Sequence, residues 1–88
     1  MPPHLIEAAG MLPYEQVDIL NVNNGARFTT YIIVGEDDSI CINGPAARLV
    51  QVGDKIIVCA YAQMSEQEAA SHTPKVVLMQ EGNVIADA

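Results

Sequence analysis

The most constraining feature of this sequence is a turn signal between two segments that each have the residue pattern of a β-strand. Asn23-Asn24-Gly25-Ala26 separates residues 16–22 from residues 27–34. Val17 and Ile19 share one face of the first segment, and the second is rich in aromatic and β-branched residues. Asn-Gly tolerates positive φ at both central positions of a type I′ turn. The sequence therefore predicts a β-hairpin.

Further turn and helix signals divide the rest of the chain into short elements. Ser65 and Glu68 form a capping box that predicts a helix. Two other short helices are predicted, after Pro2-Pro3 and after Asn43-Gly44. The additional predicted strands span residues 39–42, 55–63, 75–80 and 84–86. Five or six short strands with three brief helices indicate one mainly β domain over residues 1–88, a small barrel.

Length and charge exclude several classes of function. A chain of 88 residues is one domain at most. It carries 4 basic against 11 acidic residues, for a net charge of -7, which argues against binding to nucleic acid or to an anionic membrane surface. No apolar run approaches the roughly 20 residues of a membrane span. We therefore expect neither nucleic acid nor a membrane among its partners.

The cysteines and histidines give no signal for a metal. Cys41 and Cys59 each lie within an apolar run, which predicts two buried, reduced core residues of a cytoplasmic protein, with a disulfide as the alternative. His4 and His72 lie at no zinc-type spacing from either cysteine. We therefore predict no metal site.

Two groups of residues could carry chemistry. Arg27, Thr29 and Tyr31 alternate onto one strand face, where a guanidinium can bind a carboxylate and a phenol can donate a proton. Asn43-Gly44 precedes a helix start, where a ligand can approach the backbone and meet free N–H groups. Each group has a structural alternative: a surface charge beside a half-buried aromatic, or an ordinary corner between a strand and a helix.

Two blocks of this sequence are specific enough to suggest a family. They are Asn24-Gly25-Ala26-Arg27-Phe28-Thr29-Thr30-Tyr31 and Asn43-Gly44-Pro45-Ala46-Ala47. Weaker matches run in order along nearly the whole chain: Ala8-Ala9-Gly10-Met11-Leu12, Val17-Asp18-Ile19, Val52-Gly53-Asp54, Ile57-Val58-Cys59-Ala60-Tyr61 and Pro74-Lys75-Val76-Val77-Leu78. Together these segments resemble the pyruvoyl-dependent aspartate 1-decarboxylases.

The resemblance implies a fold and an activity. The family fold is a double-psi β-barrel, usually assembled as a homotetramer with active sites between subunits. Its members convert L-aspartate to β-alanine and CO₂ for pantothenate biosynthesis. The cofactor is a pyruvoyl group, made by self-cleavage at a Gly-Ser bond, which acts as an electron sink.

The resemblance also implies roles for individual residues. Tyr31 would be the proton donor, Arg27 would bind a substrate carboxylate, and Thr30 would contact substrate and help to position the cleavage site. Asn43 would orient the pyruvoyl group. The substrate-binding turn would consist of Gly44, Pro45 and Ala46.

The sequence departs from the family at the cleavage site. Its three serines follow Asp38, Met64 and Ala70, so it contains no Gly-Ser pair. In the family that pair and the opening strands precede the region that corresponds to residues 2–5. We therefore expect a barrel that lacks its opening strands. The sequence would be that of an aspartate decarboxylase with a misassigned start, or of an engineered fragment, and we expect it to be inactive alone. The alternatives are a shortened, non-catalytic paralogue that acts as a binding or regulatory subunit, and an interaction module of similar structure.

Overall fold

A three-stranded antiparallel sheet forms the centre of the fold in the computed structural model, which describes residues 1–86. β1 (Gln16–Asn21) lies between β2 (Arg27–Tyr31) and β3 (Ile56–Cys59), so β2 and β3 are edge strands. Leu20 of β1 is opposite Arg27 on one side and Ile57 on the other. This register places Arg27 and Ile57 on the same sheet face.

The remaining elements are short. They are helix α1 (Pro3–Ala8), a 3₁₀-helix (Gly44–Leu49), helix α2 (Glu66–Ser71) and the two-stranded sheet of β4 (Met79–Gln80) and β5 (Val84–Ile85). The structure is thus mainly β with short helices. None of the helices within residues 1–86 has the length and apolar character that crossing a membrane requires.

The predicted hairpin is confirmed, but the predicted type of turn is wrong. Asn21 N–H donates to the Ala26 carbonyl at 2.8 Å, so the connecting loop comprises residues 22–25. A type I′ turn needs two residues at positive φ, and Gly25, at +77°, is the only one here. The Asn24 side chain instead accepts a hydrogen bond from Ala26 N–H at 2.8 Å, which stabilises the longer loop.

The core is small and lies on one face of the sheet. Val17 and Ile19, predicted to share a face, are both buried and pack with Ile6 and Ile32. In β2 the exposed and half-buried residues alternate as predicted. Five apolar residues are buried, whereas fifteen large apolar or aromatic side chains within residues 1–86 are exposed. Much of the apolar surface is therefore free to contact another element or chain.

Several predicted elements are shorter than expected, and one is not formed. Residues 39–42, predicted to be a strand, have no strand pairing. The predicted strand over residues 55–63 is limited to Ile56–Cys59, the part that pairs with β1. Residues 75–80 form a strand only at Met79–Gln80, and the last strand is Val84–Ile85. Alternating apolar residues become a strand only where a partner satisfies their backbone groups.

The predicted helix and the N-cap half of its capping box are confirmed. Ser65 precedes α2, and its Oγ accepts a hydrogen bond from Glu68 N–H at 3.2 Å. No residue of α2 is buried. Local capping rather than tertiary packing therefore determines where this helix begins.

A polar cluster around Asn21 joins the hairpin loop to the turn that precedes β3. Asn21 is only 2% exposed, and its Nδ2 donates to Leu49 O at 3.0 Å and to Asp54 Oδ2 at 2.8 Å. Its Oδ1 accepts from Asn23 N–H at 3.0 Å. Lys55 N–H in turn donates to Asn23 Oδ1 at 2.7 Å. The buried amide thus has its hydrogen bonds satisfied, and it fixes two loops far apart in sequence.

This cluster makes stability sensitive to acid. The hydrogen bond from Asn21, followed by that from Gln51 N–H, lowers the pKa of Asp54. A carboxyl whose pKa is lower in the folded than in the unfolded state stabilises the fold above the unfolded value, and this contribution is lost as the pH falls through the folded value. Tm should therefore fall on acidification below about pH 4.

Asp54→Asn tests this expectation. The variant should show a smaller decrease in Tm between about pH 5 and pH 2 than the parent chain. A remaining slope is expected, because hydrogen bonds from Ser39 also lower the pKa of Asp37. Identical slopes for the two proteins would contradict the role of Asp54.

Candidate functional site

A cavity of about 410 Å³ lies beside the free edge of β2. Its volume is in the range of sites for small metabolites. Both faces of β2 contribute to it, through Thr30 on one side and Thr29 and Tyr31 on the other, which places the cavity along the strand edge. The lining residues are Met1, Val17, Ile19, Thr29, Thr30, Tyr31, Ile32, Ile33, Ile40, Cys41, Ile42, Asn43, Gly44, Pro45, Ala46 and Val58.

The backbone of β2 directs polar groups towards this cavity. Ile32 N–H donates to Glu15 O at 3.0 Å, on the β1 side, whereas Ile33 O accepts from the Met1 amino group at 2.8 Å. The direction of backbone hydrogen bonding alternates along an antiparallel strand. The peptide groups of Thr29 and Tyr31 therefore point to the free edge, as those of Ile33 do.

Opposite β2, the cavity is bounded by the turn that starts the 3₁₀-helix. Gly44 has φ +67°, in the region that side chains of L-residues disfavour, and a Cβ built on it would meet no atom within 4 Å. Backbone conformation rather than lack of space thus favours glycine here. Pro45 follows at the second position of the helix, in the first turn, where its missing N–H leaves no helical hydrogen bond unmade.

The cavity brings together six of the seven residues to which the family resemblance assigns roles. Those that line it are Thr30, Tyr31, Asn43, Gly44, Pro45 and Ala46. Tyr31 is 56% exposed, so its hydroxyl is accessible to a small molecule. The residues come from two segments that are separated along the chain, and the fold brings them together around one cavity.

Arg27 is the exception. It is exposed at the start of β2, outside the set of cavity-lining residues, on the same sheet face as Thr29 and Tyr31. Asp18 lies on this outer face too and accepts a hydrogen bond from Thr29 Oγ1 at 2.6 Å. Within one chain, Thr29 and Tyr31 belong both to the outer face and to the lining of the cavity.

Tyr61 adds a protonated phenol near this outer face. The ring is exposed as a whole, yet the pKa of its hydroxyl is raised, first by local burial and then by the neighbouring Cys59 and Asp18. The nearby Arg27 guanidinium acts in the opposite direction. Tyr61 therefore stays neutral at physiological pH and adds no negative charge to the outer face.

Cys41 was wrongly predicted to be buried. It is exposed, lines the cavity, and its Sγ donates to Asn43 Oδ1 at 3.2 Å, while Cys59 is half-buried and both thiols are free. The apolar neighbours Ile40 and Ile42 suggested a core strand, but this segment has no strand partner to cover it. Its position two residues before Asn43 is the only sequence signal that could have placed Cys41 at the site.

Comparison with known proteins identifies relatives over almost the whole chain. The family model for aspartate decarboxylase matches residues 1–86. The aspartate 1-decarboxylase of Bacillus subtilis (strain 168) is 60% identical over 83 residues, which are 92% of this chain and 65% of that protein. The aspartate 1-decarboxylase of Staphylococcus aureus (strain JH9) is 54% identical over 85 residues, which are 94% of this chain and 67% of that protein.

The same identity and coverage are found for the aspartate 1-decarboxylase of Staphylococcus aureus (strain Newman). The chain thus spans about two thirds of the length of the curated relatives that it matches. Each of the two most specific sequence blocks contributes part of its length to the cavity: Thr29, Thr30 and Tyr31 in β2, and residues 43–46 in the turn at Asn43. With a match to the family model over residues 1–86, this chain belongs to the aspartate decarboxylase family.

Proposed function

We propose that this chain forms the substrate-binding part of an aspartate 1-decarboxylase, which converts L-aspartate to β-alanine and CO₂ in the cytoplasm. One observation carries the proposal. Six residues with roles implied by the family, from β2 and from the turn at Asn43, surround one cavity of about 410 Å³. Aspartate is small enough for a site of this volume.

The residues of the cavity fit a pyruvoyl cofactor. The Thr30 and Tyr31 hydroxyls and the Asn43 amide are hydrogen-bond donors suited to a small carbonyl-containing group. Ser39, Ser65 and Ser71 are not among the lining residues, and none follows a glycine, so the serine that gives rise to such a group is not among these 88 residues. When bound, the group would supply the electron sink for decarboxylation.

The residues of this chain have distinct tasks in the proposed reaction. The α-carbon of aspartate loses CO₂ and must gain a proton, which the Tyr31 Oη–H can donate. Thr30 contacts the substrate, and Asn43 orients the cofactor through its amide. Pro45 has no N–H, so recognition at the turn relies on the backbone of Gly44 and Ala46.

We further propose that the completed fold is a double-psi barrel. β2 is an edge strand whose Thr29 and Tyr31 peptide groups point away from β1. A strand from the part of the family fold that this sequence does not span could pair there and would satisfy these groups. Such pairing would also cover part of the cavity and exclude water from the reaction.

A homo-oligomer, a tetramer by analogy with the family, would explain the position of Arg27. This residue does not line the cavity of its own chain, and it lies on an outer face with exposed Tyr31, Ile57 and Tyr61. A second copy packed on this face would bury these side chains. Arg27 would then bind a substrate carboxylate at the interface between the copies.

We expect Arg27→Lys to weaken substrate binding more than turnover. Lysine keeps the charge but lacks the planar fork that binds a carboxylate with two hydrogen bonds. KM for aspartate should rise about tenfold, the equivalent of one charge-assisted hydrogen bond, while kcat stays within about twofold. Steady-state kinetics give both constants. A lower kcat at unchanged KM would instead assign Arg27 to the chemical step.

The exposed outer face leads us to expect self-association. At micromolar concentration the 88-residue chain should scatter light as a dimer or larger species, or precipitate, because apolar side chains and a strand edge remain accessible. Multi-angle light scattering over a range of concentrations measures this. A stable monomer with a cooperative melting transition would contradict both the expectation and the proposed interface.

The function is tested with a completed chain, in which this sequence follows a family N-terminal segment that contains the Gly-Ser pair. We expect mass spectrometry to show cleavage at that pair, and incubation with L-aspartate to yield β-alanine. The matched control is the 88-residue chain alone, which should remain uncleaved and produce no β-alanine. If the completed chain cleaves but forms no β-alanine, the non-catalytic subunit becomes the better explanation.

A further inference from the structure

Tyr14 adopts a backbone conformation that is unfavourable for a residue of its size. Its φ is +65°, and Asn83 is the only other non-glycine residue within 1–86 with a positive φ. The left-handed region is unfavourable for an L-residue with a large side chain, and it is usually occupied by Gly, Asn or Asp. A residue held there indicates a constraint from its surroundings.

The local turn explains how Tyr14 is held in this conformation. Glu15 N–H donates to Leu12 O at 3.1 Å, which closes a β-turn with Pro13 and Tyr14 at its centre. Proline followed by a residue at positive φ is the pattern of a type II turn, whose second central position favours glycine. Tyr14 N–H also donates to Ile32 O at 2.8 Å, and this anchors the turn to the residue that follows β2.

The Tyr14 side chain gains little from the core. It is 76% exposed and is not among the residues that line the cavity. Its ring instead contacts that of Tyr31, with the centroids 6.5 Å apart and the planes inclined by 35°. This separation lies within the range of favourable aromatic pairs. The turn thus places one ring beside the phenol that we propose as the proton donor.

We infer that Tyr14 is a positioning residue, which restricts the orientation of the Tyr31 ring so that its hydroxyl stays directed at the substrate. The inference rests on the proposed function. Tyr31 is 56% exposed, so few other contacts limit its rotation. Because Tyr14 reaches the site only through Tyr31, its loss should affect proton donation and not aspartate binding.

Two variants of the completed chain separate the ring from the backbone. Tyr14→Asn removes the ring and suits positive φ, whereas Tyr14→Phe keeps the ring and the strained backbone. We expect Tyr14→Asn to lower kcat by about two- to tenfold at unchanged KM. Its Tm should not fall, because relief of strain offsets the lost contact. Tyr14→Phe should retain the parental kcat.

Proton NMR gives a readout that does not depend on activity. The Tyr31 ring protons should lose a ring-current shift in Tyr14→Asn and keep it in Tyr14→Phe. The 88 residues of this sequence contribute only three tyrosines, one phenylalanine and no tryptophan to the aromatic region of the spectrum. An active parent with unchanged kcat in Tyr14→Asn would overturn the inference and leave the function intact. If the parent makes no β-alanine, the function fails, and the NMR comparison decides whether Tyr14 orients Tyr31.

Discussion

Replacement of Tyr31 by phenylalanine in the completed chain is expected to lower kcat at least about tenfold, since a positioned general acid contributes about 10²–10⁴-fold to a rate. The change removes only the hydroxyl. The ring, with its contact to Tyr14, remains. Self-cleavage and Tm should therefore stay close to those of the parent. Formation of β-alanine, intact mass and thermal melting, measured on the same preparation, test all three expectations.

Tyr14→Phe is the matched control for this substitution. Tyr14 is an exposed tyrosine that does not line the cavity, so loss of its hydroxyl should leave kcat unchanged. If Tyr31→Phe also retained the parental kcat, Tyr31 would be a strand aromatic with no part in the reaction. A parallel fall in Tm and kcat would instead assign the effect to folding.

The second large effect is expected on stability, from Asn21→Asp. Aspartate has the shape of asparagine, but it replaces the Nδ2 donor with an oxygen. That oxygen would face two acceptors, Leu49 O and Asp54 Oδ2, inside a site that is only 2% exposed. We expect a loss of about 3 kcal/mol, or roughly a hundredfold in the folding equilibrium. Denaturant unfolding at a fixed protein concentration measures it.

Asn24→Asp provides the control for Asn21→Asp. Asn24 Nδ2 also donates to Leu49 O, at 3.0 Å, but this side chain is exposed and water can replace the bond. The control should lose no more than about 1 kcal/mol. Equal losses for the two variants would show that burial of Asn21 is not what makes the cluster important.

Sequence patterns located those elements whose signals are local. The alternation around Val17 and Ile19, the loop at Gly25 and the cap at Ser65 depend on near neighbours, and the structure contains the hairpin and the helix they predict. The strand predicted over residues 39–42 failed because a strand also requires a partner, which periodicity does not reveal.

The candidate site could be predicted only in part, and mostly through family resemblance. The resemblance implied functional roles for Asn43 and Tyr31, and both residues line the same cavity in the structure. It gave no indication that Arg27 would lie outside that cavity. Arg27 shares its face of β2 with Thr29 and Tyr31, and only the folded structure shows that the cavity reaches those two residues but not the start of the strand. The pair of Tyr14 and Tyr31 depends on a bulky residue at positive φ, which sequence rules assign to glycine.

The conformation of Gly44 also bears on how this site can evolve. Alanine would fit the open space, but handedness opposes it at φ +67°. Of the two residues that best tolerate this region, aspartate is one base change from the glycine codons GGU and GGC, whereas asparagine is two changes away. The more accessible mutation would thus place a negative charge beside a site that we propose binds a dicarboxylic acid. The genetic code and backbone stereochemistry together therefore oppose stepwise replacement of Gly44, although there is room for a larger side chain.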